Sequence, residues 1–202
     1  MGMSLGDNIR VTLFGESHGS SVGALLEGIP PGTNIDNDAL VKELERRKPG
    51  RKGMSRRLEA DQCEILSGVY EGRATGWPIL IVARNNDAKS SDYGFLPDHP
   101  RPGHADMVEI ERSGGAADLR GGGSQSARLT LGLVAAASQT RQLLSERGIH
   151  VRAHLHSVGD SQSRSLLDLD QTDEAQTESM QRLNCLDPEA SELFSSVIES
   201  SR

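Results

Sequence analysis

The chain has 202 residues, a net charge of −7 and 35% apolar residues, which is enough for one ordinary hydrophobic core. No apolar run is long enough to cross a membrane, and the N-terminus lacks the charged and apolar regions of a secretory signal. Cys63 and Cys185 lie far apart and form no C-x-x-C pair, so we expect a reduced, cytoplasmic protein with no structural metal.

The negative charge is concentrated near the C-terminus. Residues 160–202 contain ten acidic and three basic residues, whereas acids and bases balance in the rest of the chain. We therefore divide the sequence into a core over residues 1–157 and an acidic, serine-rich segment over residues 158–202 of the same domain. A core without net positive charge and with 3% aromatic residues argues against nucleic-acid binding.

The first two predicted elements are strands. Alternating polar and apolar residues predict one over residues 8–14, and an apolar run predicts another over residues 22–29. The turn between them, Gly15-Glu16-Ser17-His18-Gly19, is bracketed by glycines, so we expect an exposed His18 that titrates near neutral pH. Its G-x-S-x-G spacing also fits the nucleophile elbow of serine hydrolases, with Ser17 as nucleophile, although residues 20–29 are a poor match for the helix that an elbow requires.

A basic segment follows the first predicted helix. Asp36 can cap this helix, which we expect to continue to about residue 48 before Pro49 and Gly50 end it. Seven of the twelve residues from 46 to 57 are Arg or Lys, and none is acidic. The segment is either a solvated surface loop or a clamp for a phosphate-bearing ligand, because guanidinium groups bind phosphate bidentately.

The remaining elements alternate between strands and helices. Apolar runs predict strands over residues 63–70 and 77–83, and longer patterns predict helices over residues 126–147 and 188–199. Strict alternation predicts a strand over residues 149–157, with His154 and His156 on its polar face. These two histidines could bind a metal, but no carboxylate or cysteine accompanies them at ligand spacing, so a solvated face is the simpler interpretation.

The stretch 101–130 carries the strongest functional pattern. A proline-fixed turn presents His104 close to Asp106, and three glycines at positions 121–123 precede Ser124, Gln125, Ser126 and Arg128 at a predicted helix start. Glycines allow close approach of the backbone to a ligand, and a helix N-terminus directs N–H groups and a positive dipole toward it. The P-loop and dinucleotide-binding patterns are not matched. The residues therefore predict acid–base chemistry on a phosphorylated small molecule.

Several motifs together resemble one enzyme family. GESHG, GIPPG, ERRKPG, EILSGVYEG, RPGHAD and RGGGSQSAR occur in the order and spacing of chorismate synthases. The resemblance implies an α+β fold, a β-α-β sandwich that is incomplete here, and a phosphate lyase that converts 5-enolpyruvylshikimate 3-phosphate to chorismate with reduced FMN. It also implies a homotetramer in the shikimate pathway of aromatic amino-acid biosynthesis.

The resemblance also implies roles for individual residues. His104 would protonate the reduced flavin, and His18 would act as general acid toward the departing phosphate. Arg47, at a position that the family associates with NADP, would hold the anionic substrate. Further contacts are implied for the substrate phosphate at Arg51 and Arg128, and for FMN at Ser124, Gln125 and Ser126.

Three departures from the family pattern bear on function. Ser124 stands where the family usually has arginine, and Leu129-Thr130 stand where it has Glu-Thr. The second basic position of the loop has no unambiguous match, since Arg51 and Lys52 both lie nearby. The second half of the family, with its catalytic aspartate and further FMN contacts, has no counterpart here. We therefore expect a partial site, and the alternatives are a non-catalytic subunit of the same family or a serine hydrolase that uses Ser17.

Overall fold

The structure is a computed structural model that describes residues 3–48, 61–85, 90–169 and 183–201. Its chain forms two compact units. The first comprises the described residues up to Arg47 and from 61 to Ile149, and the second comprises Lys48 and the described residues from His150 onward. Within the described part of the chain, no helix has the length and apolar character needed to cross a membrane.

An antiparallel five-stranded sheet forms the base of the first unit. Its strands are β1 (Ser4–Leu5), β2 (Arg10–Gly15), β3 (Ser21–Glu27), β4 (Cys63–Ile65) and β7 (Ile79–Arg84), in the order β1-β2-β3-β7-β4. A separate small hairpin pairs β5 (Val69–Tyr70) with β6 (Arg73–Ala74). The strands predicted over residues 8–14, 22–29 and 77–83 are confirmed, whereas the one predicted over 63–70 is divided into β4 and β5.

The described residues of the first unit form the α-helices α1 (Asn37–Arg47), α2 (Asp106–Ser113) and α3 (Thr130–Ser145). The predicted cap of α1 is confirmed, because the N–H of Ala39 donates to Asp36 Oδ1 at 2.9 Å. A short 3₁₀ turn, Ala127–Leu129, precedes α3, so the α-helix starts later than the predicted residue 126. At the other end of α3, Arg147 Nη1 donates to the Leu143 carbonyl oxygen, as its position near the negative dipole end predicts.

One face of the sheet packs against α3, and α1 packs against α3. Side chains that alternate along the strands meet apolar side chains of the helices there, and the buried cluster includes Ala24, Leu26, Ile79, Ile81, Leu40, Leu44, Leu131 and Ala135. Gly132 of α3 lies directly against the carbonyl group of Gly23 in β3, where a Cβ atom could not fit. This close approach fixes the start of α3 near the end of β3 that follows the GESHG turn.

The described residues of the second unit include a two-stranded hairpin, a short 3₁₀ helix (Leu166–Asp168) and a longer α-helix. The hairpin pairs β8 (Ser157–Val158) with β9 (Ser161–Gln162), and the helix is α4 (Pro188–Ser200), which confirms the last predicted helix. The described part of its core includes Cys185, Ala190 and Phe194. Arg164 pairs with buried Asp187, which precedes α4.

The strand predicted over residues 149–157 is wrong. Apart from Ser157 in β8, the segment has no regular structure. The N–H of Leu155 donates to the Asn184 carbonyl oxygen at 2.7 Å, and His154 Nδ1 accepts from the N–H of Leu186. Alternation alone does not make a strand, because a strand also needs an adjacent ladder, and here an irregular segment satisfies these groups instead.

Candidate active site

The GESHG turn is attached to the glycine segment Arg120–Gln125. The N–H of Ser17 donates to the Gly123 carbonyl oxygen at 3.1 Å, and Ser17 Oγ lies 3.0 Å from the carbonyl oxygens of both Arg120 and Gly121. These contacts bring together two sequence motifs that are about a hundred residues apart. The turn between β2 and β3 therefore forms one surface with the glycine segment.

The burial and the hydrogen bonds of the Ser17 hydroxyl do not suit a hydrolase nucleophile. Its side chain is buried, and its hydrogen is directed to backbone carbonyl oxygens rather than to a histidine base. A nucleophile elbow also needs a helix directly after the turn, whereas the element that follows here is strand β3. The structure thus contradicts the serine-hydrolase alternative.

His18 is buried rather than exposed as the sequence predicted, with 7% of its surface accessible. Tyr93 packs edge-on against its imidazole ring, with 4.9 Å between the ring centroids. On another side, a Cβ atom on Gly121 would lie 2.6 Å from His18 Nε2. Flanking glycines suggested an open turn, but the glycine segment and Tyr93 cover it in the folded chain.

Packing within the protein requires two of the three glycines at positions 121–123. Gly121, Gly122 and Gly123 all have positive φ angles, of 59°, 88° and 54°. Gly121 packs against Ser17 and His18, and Gly123 packs against the Asp118 carbonyl group. Around Gly122, by contrast, the nearest atom to an added Cβ would be Ser126 Cβ at 3.7 Å. Of the three glycines, Gly122 has the most open approach.

The helix start after the glycines does not offer the N–H groups that the sequence predicted. The N–H of Arg128 donates to Ser126 Oγ, that of Leu129 to the Ser126 carbonyl oxygen, and that of Thr130 to the Ala127 carbonyl oxygen. The 3₁₀ turn before α3 uses these donors internally. These three N–H groups are therefore not available to an anion.

Two arginine side chains meet at one carboxylate. Arg47 Nη1 donates to Asp61 Oδ2 at 2.6 Å, and Arg128 Nη1 donates to Asp61 Oδ1. Arg47 also donates from Nη2 to the Ala127 carbonyl oxygen and from Nε to Thr130 Oγ1, both at 3.3 Å. Asp61 and Arg128 are buried, and the Arg47 side chain is 19% exposed, so it presents the accessible part of this cationic group.

Asn85 connects the arginines to the GESHG turn. Its Nδ2 donates to the carbonyl oxygens of Glu16 and Gly19, at 3.0 and 2.9 Å. Its Oδ1 accepts from Arg128 Nε at 3.1 Å. The turn that carries His18 and the arginine pair are therefore neighbours joined by one amide.

The RPGHAD turn is held by Arg101 rather than by His104. Arg101 donates from Nε and Nη2 to the two oxygens of buried Asp106, at 2.8 and 2.7 Å, and from Nη2 to the Leu119 carbonyl oxygen. Its guanidinium carbon also lies 5.3 Å from the centroid of the Tyr93 ring. The predicted neighbour of His104, Asp106, is thus an ion-pair partner of Arg101.

His104 is exposed, and its ring orientation is defined by one contact. Its Nδ1 lies 3.2 Å from the Pro102 carbonyl oxygen. A carbonyl oxygen only accepts, so this bond requires a hydrogen on Nδ1 and leaves Nε2 as the basic nitrogen of the neutral ring. A chain of contacts joins His104 to His18. The N–H of His104 donates to the Arg101 carbonyl oxygen, and the Arg101 side chain lies over the Tyr93 ring. Tyr93 in turn packs against His18.

The predicted FMN contacts lie beside α2. Gln125 Nε2 donates to Glu109 Oε1 at 3.1 Å, and Glu109 also pairs with Arg112. Gln125 is exposed and Ser124 is half-buried, whereas Ser126 Oγ already caps the N–H of Arg128. The Gln125–Glu109 bond therefore joins α2 to the glycine segment, in addition to the bond from Arg101 to Leu119.

The ion pairs of this region keep their carboxylates ionised. The hydrogen bond from Arg101 holds the pKa of Asp106 below its usual value, and that from Arg112 does the same for Glu109. The pKa of Asp118 is lowered mainly by Arg120 and to a smaller extent by the charge of His18. Burial, with the charge of Asp61, raises the pKa of the Cys63 thiol to about 11, so Cys63 is not a thiolate at neutral pH.

The structure thus places six of the predicted site residues in or against the glycine segment and the turn after it, and His104 on the RPGHAD turn, whose Arg101 bonds to Leu119 just before that segment. Arg51, the remaining one, lies outside the described residues, as does the basic loop from position 49 onward. Sequence reasoning missed Asp61, Asn85 and Tyr93. Asp61 and Asn85 could have been noticed as polar residues just outside apolar strands. The sequence does not show, however, which strand ends lie together.

The described residues thus form a mixed α+β fold in which the GESHG turn and the Arg47–Arg128 pair lie against the glycine segment and the turn after it. The chorismate synthase family model matches residues 9–202 of this chain. Chorismate synthase of Aeropyrum pernix is 46% identical over 199 residues, which are 98% of this chain and 52% of that protein. Chorismate synthase of Methanosarcina mazei is 43% identical over 192 residues, which are 94% and 51% of the two chains. This chain belongs to the chorismate synthase family.

Comparison with a solved structure supports the same assignment. A crystal structure of chorismate synthase matches 96% of this chain and 54% of its own chain, with a TM-score of 0.69 and 28% identity. The predicted α+β fold class is confirmed. The chain spans about half the length of the curated relatives it matches.

Proposed function

We propose that this chain contributes the proton-donating and phosphate-binding part of a chorismate synthase site. The reaction would remove a proton and the phosphate group of 5-enolpyruvylshikimate 3-phosphate in a 1,4-elimination that yields chorismate and phosphate. The observation that carries the proposal is the arginine pair at Asp61, joined through Asn85 to the turn of His18. A departing phosphate needs cations and a proton donor at the same place.

The cationic role falls to Arg47. Part of its guanidinium is accessible, whereas Arg128 is almost fully buried against Asp61 and Asn85. Arg47 would bind the phosphate oxygens, and Arg128 would maintain the positive potential behind it. His18, covered by Tyr93 and the glycine segment, is held in one place, which suits a group that must deliver a proton to a defined oxygen.

The described residues fit part of an FMN site. The open approach at Gly122, half-buried Ser124 and exposed Gln125 would hold the cofactor, and His104 would exchange a proton with it through Nε2. Reduced FMN, when bound, supplies the electron density that the elimination needs and recovers it. The Ser126 hydroxyl oxygen accepts from the Arg128 N–H, so we assign Ser126 to shaping the segment.

The test is phosphate release from 5-enolpyruvylshikimate 3-phosphate under anaerobic conditions with reduced FMN. We expect His104→Ala and His18→Ala to reduce the rate at least about 100-fold, the usual range for a proton-transfer group. His99→Ala removes an exposed histidine from the segment before RPGHAD and should leave the rate unchanged. Arg47→Ala should raise KM, with Arg46→Ala on the same helix as its control.

Two other outcomes are informative. A folded chain that binds reduced FMN and substrate but releases no phosphate would contradict the enzymatic proposal and favour a non-catalytic subunit. Equal activity of wild type and His104→Ala would contradict the assigned role of His104. Light scattering of the same sample would test the family's homotetramer, which we propose for this chain as well.

A further inference from the structure

Asp61 and Asn85 occupy matching positions at the end of two paired strands. Cys63 of β4 pairs with Ala83 of β7. Asp61 lies two residues before Cys63, and Asn85 lies two residues after Ala83, so both extend from the same end of this ladder. Antiparallel pairing therefore delivers a carboxylate and an amide to the place where the GESHG turn and the start of α3 meet.

The Asp61 carboxylate has a fixed relation to two guanidinium groups. Its side chain has no exposed surface, and each oxygen accepts from a different arginine. Such a buried carboxylate sets the separation and orientation of Arg47 and Arg128, which would otherwise repel each other. It also reduces their combined charge from two to one.

Asn85 fixes the same group relative to His18. Its amide donates to two carbonyl oxygens of the GESHG turn and accepts from Arg128 Nε, while its own N–H donates to the Ser20 carbonyl oxygen at 3.2 Å. An asparagine whose donor and acceptor both have defined partners has a fixed orientation. Movement of Arg128 relative to the turn would break several bonds at once.

We infer that Asp61 and Asn85 are positioning residues, which hold the guanidinium groups of Arg47 and Arg128 at a fixed place beside His18 for a phosphate monoester. This inference rests on the proposed function, because it names the residues that prepare the same site for the substrate's phosphate group. It has a consequence that charge alone does not predict. Loss of the Asp61 charge makes the site more positive, yet phosphate binding should become weaker because the arginines lose their alignment.

The experiment titrates the full chain with inorganic phosphate at constant ionic strength. The readout is the NMR signal of the arginine Nε–H groups in protein labelled with ¹⁵N-arginine, assigned with Arg47→Lys and Arg128→Lys. Wild type should show a saturable shift of the Arg47 signal. Asp61→Asn should bind phosphate at least about tenfold more weakly, the size expected when a charged hydrogen-bond partner is lost.

Two further variants separate the effect of arginine alignment from the effects of net charge and of unfolding. Glu43→Gln removes one negative charge from the surface of α1, where Glu43 pairs with Arg46 and Arg141, and should leave phosphate binding at the wild-type level or slightly stronger. Asn85→Ala leaves every charge in place and should weaken phosphate binding several-fold. It also provides the test if Asp61→Asn does not fold.

The outcomes are distinct from those of the turnover assay. Phosphate binding in Asp61→Asn or Asn85→Ala that equals or exceeds the wild-type affinity would overturn the inference, and so would the absence of any phosphate response in wild type. If the binding pattern holds while no substrate is turned over, the inference stands and the proposed enzymatic activity fails.

Discussion

Replacement of Gly121 by alanine should damage the His18 site more than it damages the fold. Gly121 has a φ angle of 59°, which is unfavourable for alanine by about 1–2 kcal/mol. The added Cβ atom would also lie 2.5 Å from His18 Cδ2 and 2.7 Å from Ser17 Oγ. Overpacking of this kind costs about 1–3 kcal/mol, so the total loss should be about 2–5 kcal/mol.

Gly122→Ala is the matched control for this substitution. Gly122 has a φ angle of 88°, but the nearest atom to its added Cβ is 3.7 Å away. It should therefore lose only the backbone contribution of about 1–2 kcal/mol. The difference between the two variants isolates the contact of Gly121 with the GESHG turn.

Urea unfolding gives the free energies of both variants, and the imidazole NMR signals report the position of His18. We expect a shifted His18 signal and loss of phosphate release in Gly121→Ala, and an unshifted His18 signal in Gly122→Ala. Tyr93 also packs against the imidazole ring, which is buried, so a displaced ring has little room to relax. Equal unfolding free energies for the two variants, with an unshifted His18 signal in both, would refute the reasoning.

Three further predictions concern charge, thiol reactivity and the second core. The Arg164 hydrogen bond lowers the pKa of Asp187 from 3.8 to about 2. This ion pair should stabilise the fold by about 1–2 kcal/mol above pH 3.8, after allowance for the exposure of Arg164, and the stabilisation is lost as the pH falls through 2. Acid unfolding of wild type and Asp187→Asn measures the difference, and identical acid profiles would contradict it. Cys63, with a pKa of about 11, should react slowly with iodoacetamide at pH 8 and faster toward pH 11, as measured by mass spectrometry of its peptide. Rapid alkylation at pH 8 would contradict a buried thiol at this position. Phe194 is fully buried, so Phe194→Ala should destabilise the second unit by about 3–5 kcal/mol. Amide hydrogen exchange in α4 measures this loss, and an unchanged exchange rate would contradict the described core.

Local patterns in the sequence were sufficient for most elements of the first unit. Apolar alternation located β2, β3 and β7, and Asp36 marked the start of α1, because these signals depend on neighbours along the chain. The same alternation failed over residues 149–157, where the partner that a strand needs would have to come from elsewhere in the fold.

The motifs by themselves determined the family and pointed to His18, His104, Arg47 and Arg128. Only the tertiary structure showed that His18 is buried, that Asp106 is the ion-pair partner of Arg101, and that the N–H groups of residues 128–130 bond within the turn before α3. Asp61 and Asn85 are ordinary polar residues in the sequence, and their roles appear only when β4 pairs with β7. Long-range pairing and burial decide these properties, because they depend on contacts between segments that are far apart along the chain.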